Sequence, residues 1–243
     1  SRVWRPKINK ELIVWAEDIT SSDNTSIYWH NTTKKTTTKL NIPTASHHNP
    51  DIYNNYIVYL DNRNNPTAPS MEFGWDVYLY NLQTQTETRI TPTPTAYWTS
   101  NTEGPLNIDN NYITWRDNRN TTPAIYLYDI NQQKNKSLIQ HPNIGGPHDA
   151  NNNHILWSNG TNLWMTTYNA FLAPQHTLIK NGVARGPSIS ENTITYTYGL
   201  NPNSENIYTY NINTQQEKKI TKNVDQGHDN PSIHQDLIAY ERP

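Results

Sequence analysis

Short apolar runs interrupt this chain at near-regular intervals. Six share one form, a branched-aliphatic stretch closed by Trp or Tyr: LIVW from Leu12, YIVY from Tyr56, YITW from Tyr112, HILW from His154, TITY from Thr193 and LIAY from Leu237. Such runs, bounded by Asn, Asp, Gly and Pro, read as strands covered on both faces. A second kind follows five of the six and alternates: SIYWHN from Ser26, DVYLYNL from Asp76, AIYLYDI from Ala124, NLWMTTYN from Asn162 and NIYTYNI from Asn206. A period of two marks a strand with one packed face and one open face. No segment carries a 3.6-residue period, so no helix is expected.

Each run of the first kind is preceded by a Pro and a short apolar step. The copies are RPKINKELIVW, NPDIYNNYIVY, GPLNIDNNYITW, GPHDANNNHILW, GPSISENTITY and NPSIHQDLIAY, with prolines at 6, 50, 105, 147, 187 and 231. Their spacings are 44, 55, 42, 40 and 44 residues. A third short run closes five of the repeats, as in TETRIT ending at Thr91 and EKKIT ending at Thr221. Each full repeat therefore reads as four strands, A to D, with strand A following the Pro. Four strands per ~40–45 residues is the period of a β-propeller blade. The expected fold is all-β: one β-propeller domain over 1–243, built of four-stranded antiparallel blades, with repeats beginning near 5, 49, 104, 146, 186 and 230. Strands A and B occur six times, C and D five times. Six blade positions with the last incomplete are expected; the alternative is five blades. Asn54-Asn55 and Asn110-Asn111 fit tight A–B hairpin turns, where Asn tolerates positive φ.

The residues YLDNRNN (59–65) with DVYLYNLQTQTETRIT (76–91), and WRDNRN (115–120) with AIYLYDI (124–130), carry a further pattern. It resembles the TolB-type, WD40-like propeller repeat of bacterial periplasmic and of archaeal and bacterial surface proteins. The resemblance runs the length of the chain. It implies the propeller fold and leaves activity open, since propellers host enzymes, receptors and scaffolds. The D-x-R element of that repeat stands here only as Asp61/Arg63 and Asp117/Arg119. Because it recurs at one place in a repeat, it reads as a structural lock on the B–C connection.

Composition narrows the function classes. Charged residues are 16% of the 243 and the net charge is -2. This argues against nucleic-acid binding, which needs a basic surplus. The 35 Asn, 30 Thr and 16 Tyr suit strands and turns. No apolar run reaches the ~18 residues of a membrane span. Cysteine is absent, which excludes disulfides and thiolate chemistry. No GxSxG, GxxxxGK[ST] or GxGxxG motif is present. Five N-x-S/T sequons, at Asn24, Asn31, Asn120, Asn135 and Asn159, are about what chance gives for this composition.

Candidate chemistry gathers on one face, where the D–A and B–C connections emerge together. Two insertions lengthen it: PTAPSMEFGWD (66–76), with Met71, Phe73 and Trp75, and TPTPTAYWTSNTEGP (91–105), with Tyr97 and Trp98. Their aromatics suit a stacking platform for sugar rings or a contact patch for a protein; the alternative is that they fold down to plug gaps between blades. Residues just before each strand A ring the expected channel mouth: His47, His48, Glu103, Arg185, His228 and Asp229, with His148 just after its Pro. No residue is assigned a catalytic role. Several His and carboxylates converging there suit a divalent metal, although no ligand spacing such as HExxH occurs, so no cofactor is expected beyond that option. The expected function is a non-catalytic extracellular or cell-surface propeller, the periplasm included, that binds a glycan or protein or builds a surface assembly. The rival is a polysaccharide lyase or glycosidase with a channel-mouth His/carboxylate site. Self-association through the open strand edge of the last half-repeat is a further expectation.

Overall fold

The structure is a computed structural model and describes residues 2–18, 25–66, 73–92, 96–97, 106–117, 119, 122–145, 147–168, 173–182, 184–199, 205–221 and 227–241. All described regular structure is strand, and every strand pair is antiparallel. The chain divides into two compact units, Ser1–Gln140 and His141–Pro243. In the first, β1 (Arg2–Asn9), β2 (Leu12–Asp18), β3 (Ser26–Asn31) and β4 (Thr36–Lys39) form one sheet in chain order. The second repeat supplies β5 (His47–Tyr53), β6 (Tyr56–Asp61), β7 (Phe73–Asn81) and β8 (Thr86–Arg89). The third supplies β10 (Leu106–Asp109), β11 (Tyr112–Asp117), β12 (Ala124–Asp129) and β13 (Lys134–Gln140). Between them a two-residue strand, β9 (Ala96–Tyr97), pairs with both β7 and β11, fusing the two repeats into a nine-stranded sheet.

The second unit holds two four-stranded sheets in chain order. One is β14 (Pro147–Asn151), β15 (His154–Ser158), β16 (Asn162–Thr167) and β17 (Gln175–Asn181). The other is β18 (Ala184–Ser190), β19 (Thr193–Tyr198), β20 (Asn206–Asn211) and β21 (Gln216–Lys219). A two-stranded sheet follows, β22 (Asp229–His234) with β23 (Leu237–Glu241).

The recurring Pro has a local cause. In four repeats strand A begins before it, not after it, and the register slips there: between Trp4 and Lys7, His48 and Asp51, Arg185 and Ser188, and Asp229 and Ser232. Pro has no N–H to give the ladder, so the chain bulges around it. The residue before it turns left-handed, with φ of 46° at Arg5, 49° at Asn49, 50° at Gly186 and 49° at Asn230. Asn and Gly tolerate that conformation, which explains the N-P and G-P dipeptides. The two-residue A–B hairpins form as expected, with positive φ at Asn54 and Asn110.

Four of the five strands C, all but β16, end in Asn or Asp because that side chain caps the four-residue turn to strand D. Asn81 Oδ1 accepts from the N–H of Gln83 (2.9 Å), Asp129 Oδ1 from Asn131 (2.8 Å), and Asn211 Oδ1 from Thr214 (2.9 Å). The closing I-T is equally specific. Thr91 Oγ1 accepts from the N–H of Val77 at 3.1 Å and donates to Asp76 at 2.7 Å, tying the end of strand D to the start of strand C. Thr221 does the same with Ile207 and Asn206, at 3.1 Å each.

The core lies between successive sheets. Along β6, Ile57 and Tyr59 pack toward the first repeat with Val14 and Ile27, while Val58 and Leu60 pack toward the third with Leu106 and Trp115. Both faces are buried, which accounts for the continuous apolar runs. The expected alternation of strand C fails in β12, where all six residues are buried; the outward faces of its tyrosines are covered by side chains rather than solvent. Side-chain rungs join successive strands A. Asp51 Oδ2 accepts from the N–H of Ile108 at 3.0 Å, and Asp149 Oδ2 from Ile189 and from the Ser188 hydroxyl, each at 2.9 Å. These bonds satisfy edge N–H groups that the ladder leaves open.

Strands B and C are joined by a stacked aromatic pair in all five full repeats: Trp15–Tyr28, Tyr59–Tyr78, Trp115–Tyr126, Trp157–Trp164 and Tyr196–Tyr208, with centroids 5.7–6.0 Å apart. The two D-x-R elements cap these pairs. Asp117, fully buried, accepts from the Arg119 N–H at 2.7 Å, its guanidinium at 2.5 Å and Trp115 Nε1 at 2.9 Å; the guanidinium lies 4.1 Å from the Tyr126 ring centroid. Arg63 does likewise over Tyr78 at 4.2 Å, bonding Asp61 and Glu87, and Glu87 also accepts the Tyr59 hydroxyl. Repeat five lacks D-x-R. There Lys180, from the preceding repeat's β17, lies 2.8 Å from Glu217 and 5.2 Å from the Tyr208 centroid.

Two outcomes follow for stability. At Gly186 an added Cβ would lie 3.3 Å from Asn230 Cα, at a φ only Gly adopts freely. Gly186→Ala is expected to cost about 1–2 kcal/mol, read as a lower denaturant midpoint at unchanged m-value. Burial alone would raise the Asp117 carboxyl; its bonds from Arg119 and Trp115 outweigh this and hold it below the ordinary carboxylate range. Its stabilisation is therefore present above pH ~4 and is lost as pH falls through the depressed value. Arg119→Met leaves burial to dominate, so the acid-unfolding midpoint should move to higher pH; an unchanged midpoint would refute the capping role.

Candidate functional site

In repeats two and five, two positions meet at the end of the sheet where the D–A and B–C connections emerge. One lies two residues before the strand-A Pro; the other lies immediately before the strand-C run that opens at Asp76 in repeat two and at Asn206 in repeat five. In repeat two these are His48 and Trp75, whose rings meet edge to face at 5.1 Å. In repeat five they are Arg185 and Glu205, whose side chains pair at 2.9 Å. Strand register places them: Arg185 is the second residue of β18, and Glu205 immediately precedes β20.

The repeat-two site is largely buried. Trp75 is buried, held in β7 opposite Ala96 of β9. His47 is buried with its Nδ1–H donating to the Thr25 carbonyl at 2.7 Å, its Nε2 3.1 Å from Asp61 and its ring edge-on to Tyr59 at 5.7 Å. It ties the first repeat to the Asp61–Arg63 lock of the second. Burial, followed by the nearby His47 and Arg5, lowers His48 to about 4, so its imidazole is neutral at physiological pH.

The site between repeats five and six is polar and charged. Glu205 is 7% exposed, and its carbonyl accepts the N–H of His228 at 3.1 Å. Burial lifts its carboxyl above the ordinary range; Arg185 pulls it down, and the charge of Asp229 adds to the rise. His228 is also 7% exposed and lies edge-on to Tyr240 at 5.4 Å. Its Nδ1 is buried with no hydrogen-bond partner among the described residues. Arg185 is exposed and Asp229 half-buried at the start of β22.

The sequence-derived residues thus fall into separate groups. His47, His48 and Trp75 come together in the first compact unit, and Arg185, His228 and Asp229 gather around Glu205 in the second. The backbone pairs Phe73 with Tyr97 across β7 and β9; their side chains and that of His148 lie outside the described residues, as do Met71, Trp98 and Glu103. Among the described residues, no three His, Asp or Glu side chains assemble as a metal site. Sequence reasoning missed Glu205 and Thr25. The signal was available, since both align with Trp75 as the residue before the repeated strand-C run, SIYWHN, DVYLYNL or NIYTYNI. Of the sequons, Asn31 is buried with Oδ1 accepting from the Lys34 N–H at 2.7 Å, whereas Asn135 is exposed.

One pH effect follows. The unfolded chain protonates His48 near its ordinary 6.5, the folded protein only near 4. Stability should therefore fall as pH drops from about 6.5 to about 4. His48→Gln should reduce the proton uptake on unfolding in that window by about one, measured from the pH dependence of the unfolding free energy.

No family model matches the sequence, and no curated protein matches it either. Solved structures match its architecture. The β-propeller domain of the trilobed protease from Pyrococcus furiosus, with an open velcro topology, gives a TM-score of 0.70 over 99% of this chain and 77% of that one, at 10% identity. TolB from Acinetobacter baumannii gives 0.57 over 90% of this chain at 13% identity; the chain spans 55% of TolB. A chain in a nidogen/laminin complex gives 0.56 at 11% identity, over 90% of this chain and 80% of that one. At these identities the likeness concerns architecture, and it agrees with the four-stranded repeats and their stacked pairs: the chain has a β-propeller fold similar to that of TolB.

Proposed function

We propose that this protein is a non-catalytic binding propeller that works outside the cytoplasm, at a cell surface or in the periplasm, and holds a glycan or protein on its D–A/B–C loop face. The observation that carries the reading is the convergence of Arg185, Glu205, His228 and Asp229 from three separate chain segments onto that face. A buried carboxylate half-neutralised by an exposed arginine is costly to maintain for stability alone. The propellers of TolB and of the nidogen/laminin complex support a binding role by analogy of fold. The low charge and the Asn- and Thr-rich surface suit an extracytoplasmic setting.

A second reading, a building block of an assembly, rests on β23. It is the edge of its two-stranded sheet, with Leu237 77% exposed. Exposed edges of this kind pair with other strands.

The binding reading is tested by offering the purified protein to a glycan array and to a panel of extracellular proteins. Retention of a ligand without turnover is expected. New chain ends released from a polysaccharide, with loss of that activity on metal chelation, would establish the lyase or glycosidase alternative instead. For the assembly reading, light scattering should show mass increasing with concentration; a monomer throughout would end it.

A further inference from the structure

This inference rests on the binding reading and names the ligand chemistry of one site. Around Glu205, hydrogen-bond donors and acceptors are interleaved. Glu205 and Asp229 offer carboxylate oxygens, and the exposed Arg185 retains N–H donors beyond its 2.9 Å contact with Glu205. His228 adds a ring nitrogen that is 93% buried by residue and has no partner among the described residues. A buried polar atom left unpaired costs stability that a ligand group restores. The His228 main-chain N–H donates to the Glu205 carbonyl, which sets the two residues side by side, and the imidazole lies edge-on to Tyr240, which is 44% exposed.

A hydroxyl both donates and accepts, so a vicinal pair of hydroxyls satisfies an interleaved set that a purely cationic or anionic group cannot. A basic side chain would compete with Arg185 for Glu205. An anionic sugar would meet two carboxylates against one guanidinium. A neutral pyranose faces neither conflict, and its C–H face suits the open tyrosine ring. We propose that Arg185, Glu205, His228, Asp229 and Tyr240 form a subsite for one neutral pyranose residue of a glycan.

The test is calorimetric titration of the whole chain with neutral hexasaccharides of glucose, xylose, mannose and N-acetylglucosamine, with a hexagalacturonate and a hexa-arginine peptide alongside. At least one neutral hexasaccharide should bind. Arg185→Ala and Asp229→Asn, each at an accessible position, should weaken it about tenfold, the loss of one hydrogen bond to a charged group. Lys39→Ala, on the exposed β4, should leave affinity unchanged. Circular dichroism checks that each variant is folded. Glycan binding that both variants retain overturns the subsite and leaves the binding reading standing. Preference for hexagalacturonate or hexa-arginine overturns the neutral-sugar assignment, and no binding of any probe overturns the subsite outright. The binding reading itself fails only if the arrays and protein panel also retain nothing.

Discussion

Stacked aromatic rings across strands B and C set the geometry on which much else in this chain depends. Each pair sits directly opposite in register, Trp15 on Tyr28, Tyr59 on Tyr78, Trp115 on Tyr126, Trp157 on Trp164 and Tyr196 on Tyr208. A slip of one residue would send one ring of each pair to the opposite face of its sheet. The pair therefore fixes the register of the two middle strands, and the turns, caps and rungs follow from that register. The rings also bring polar handles into the interior, and these handles demand partners. Glu87, Asp117, Thr166 and Glu217 meet that demand.

Those partners are mostly charged, Asp117 buried, Glu87 half-buried and Glu217 exposed, and each has a counterion. Arg63 and Arg119 supply it from within their own repeats, and Lys180 supplies it from the neighbouring one. Three repeats thus reach one physical solution, a cation over an aromatic ring and beside a carboxylate, by two routes. The same reasoning gives the D-x-R element its meaning. Asp61 and Asp117 are anchored by main-chain and side-chain bonds inside a repeat, which is a structural task. At the end of the second unit, Tyr240 occupies the aromatic place on β23, where the described sheet has only two strands. Its ring meets His228 edge to face instead of stacking on a strand-C aromatic.

The contrast between the two loop-face sites follows from what occupies equivalent positions. Where repeat two places His48 and Trp75, a neutral ring packs on an indole and the site closes. Where repeat five places Arg185 and Glu205, the same geometry holds an ion pair, and the next strand adds a second carboxylate and a histidine. Folding demands that something fill these positions; it does not demand charge. That asymmetry is the physical basis for assigning function to one and structure to the other.

The sequence by itself determined the repeat. The Pro spacing, the I-x-W/Y and I-Y-x-Y runs, the Asn turns and the terminal I-T are local demands of strands, bulges and caps, and local demands leave marks at fixed spacing. The equivalence of His48, Arg185 and Asp229 was also legible, because each stands two residues before the Pro of its strand A. Other features depended on distances between residues far apart in the chain. The pairing of the two insertions through β9, the burial of His47 and Trp75, the replacement of D-x-R by Lys180, and the choice of Glu205 as the centre of a polar cluster are all of this kind. A periodic sequence tells which positions are equivalent. Only the tertiary structure decides which equivalent positions meet, because contact energies depend on the partner across the sheet and not on the residue alone.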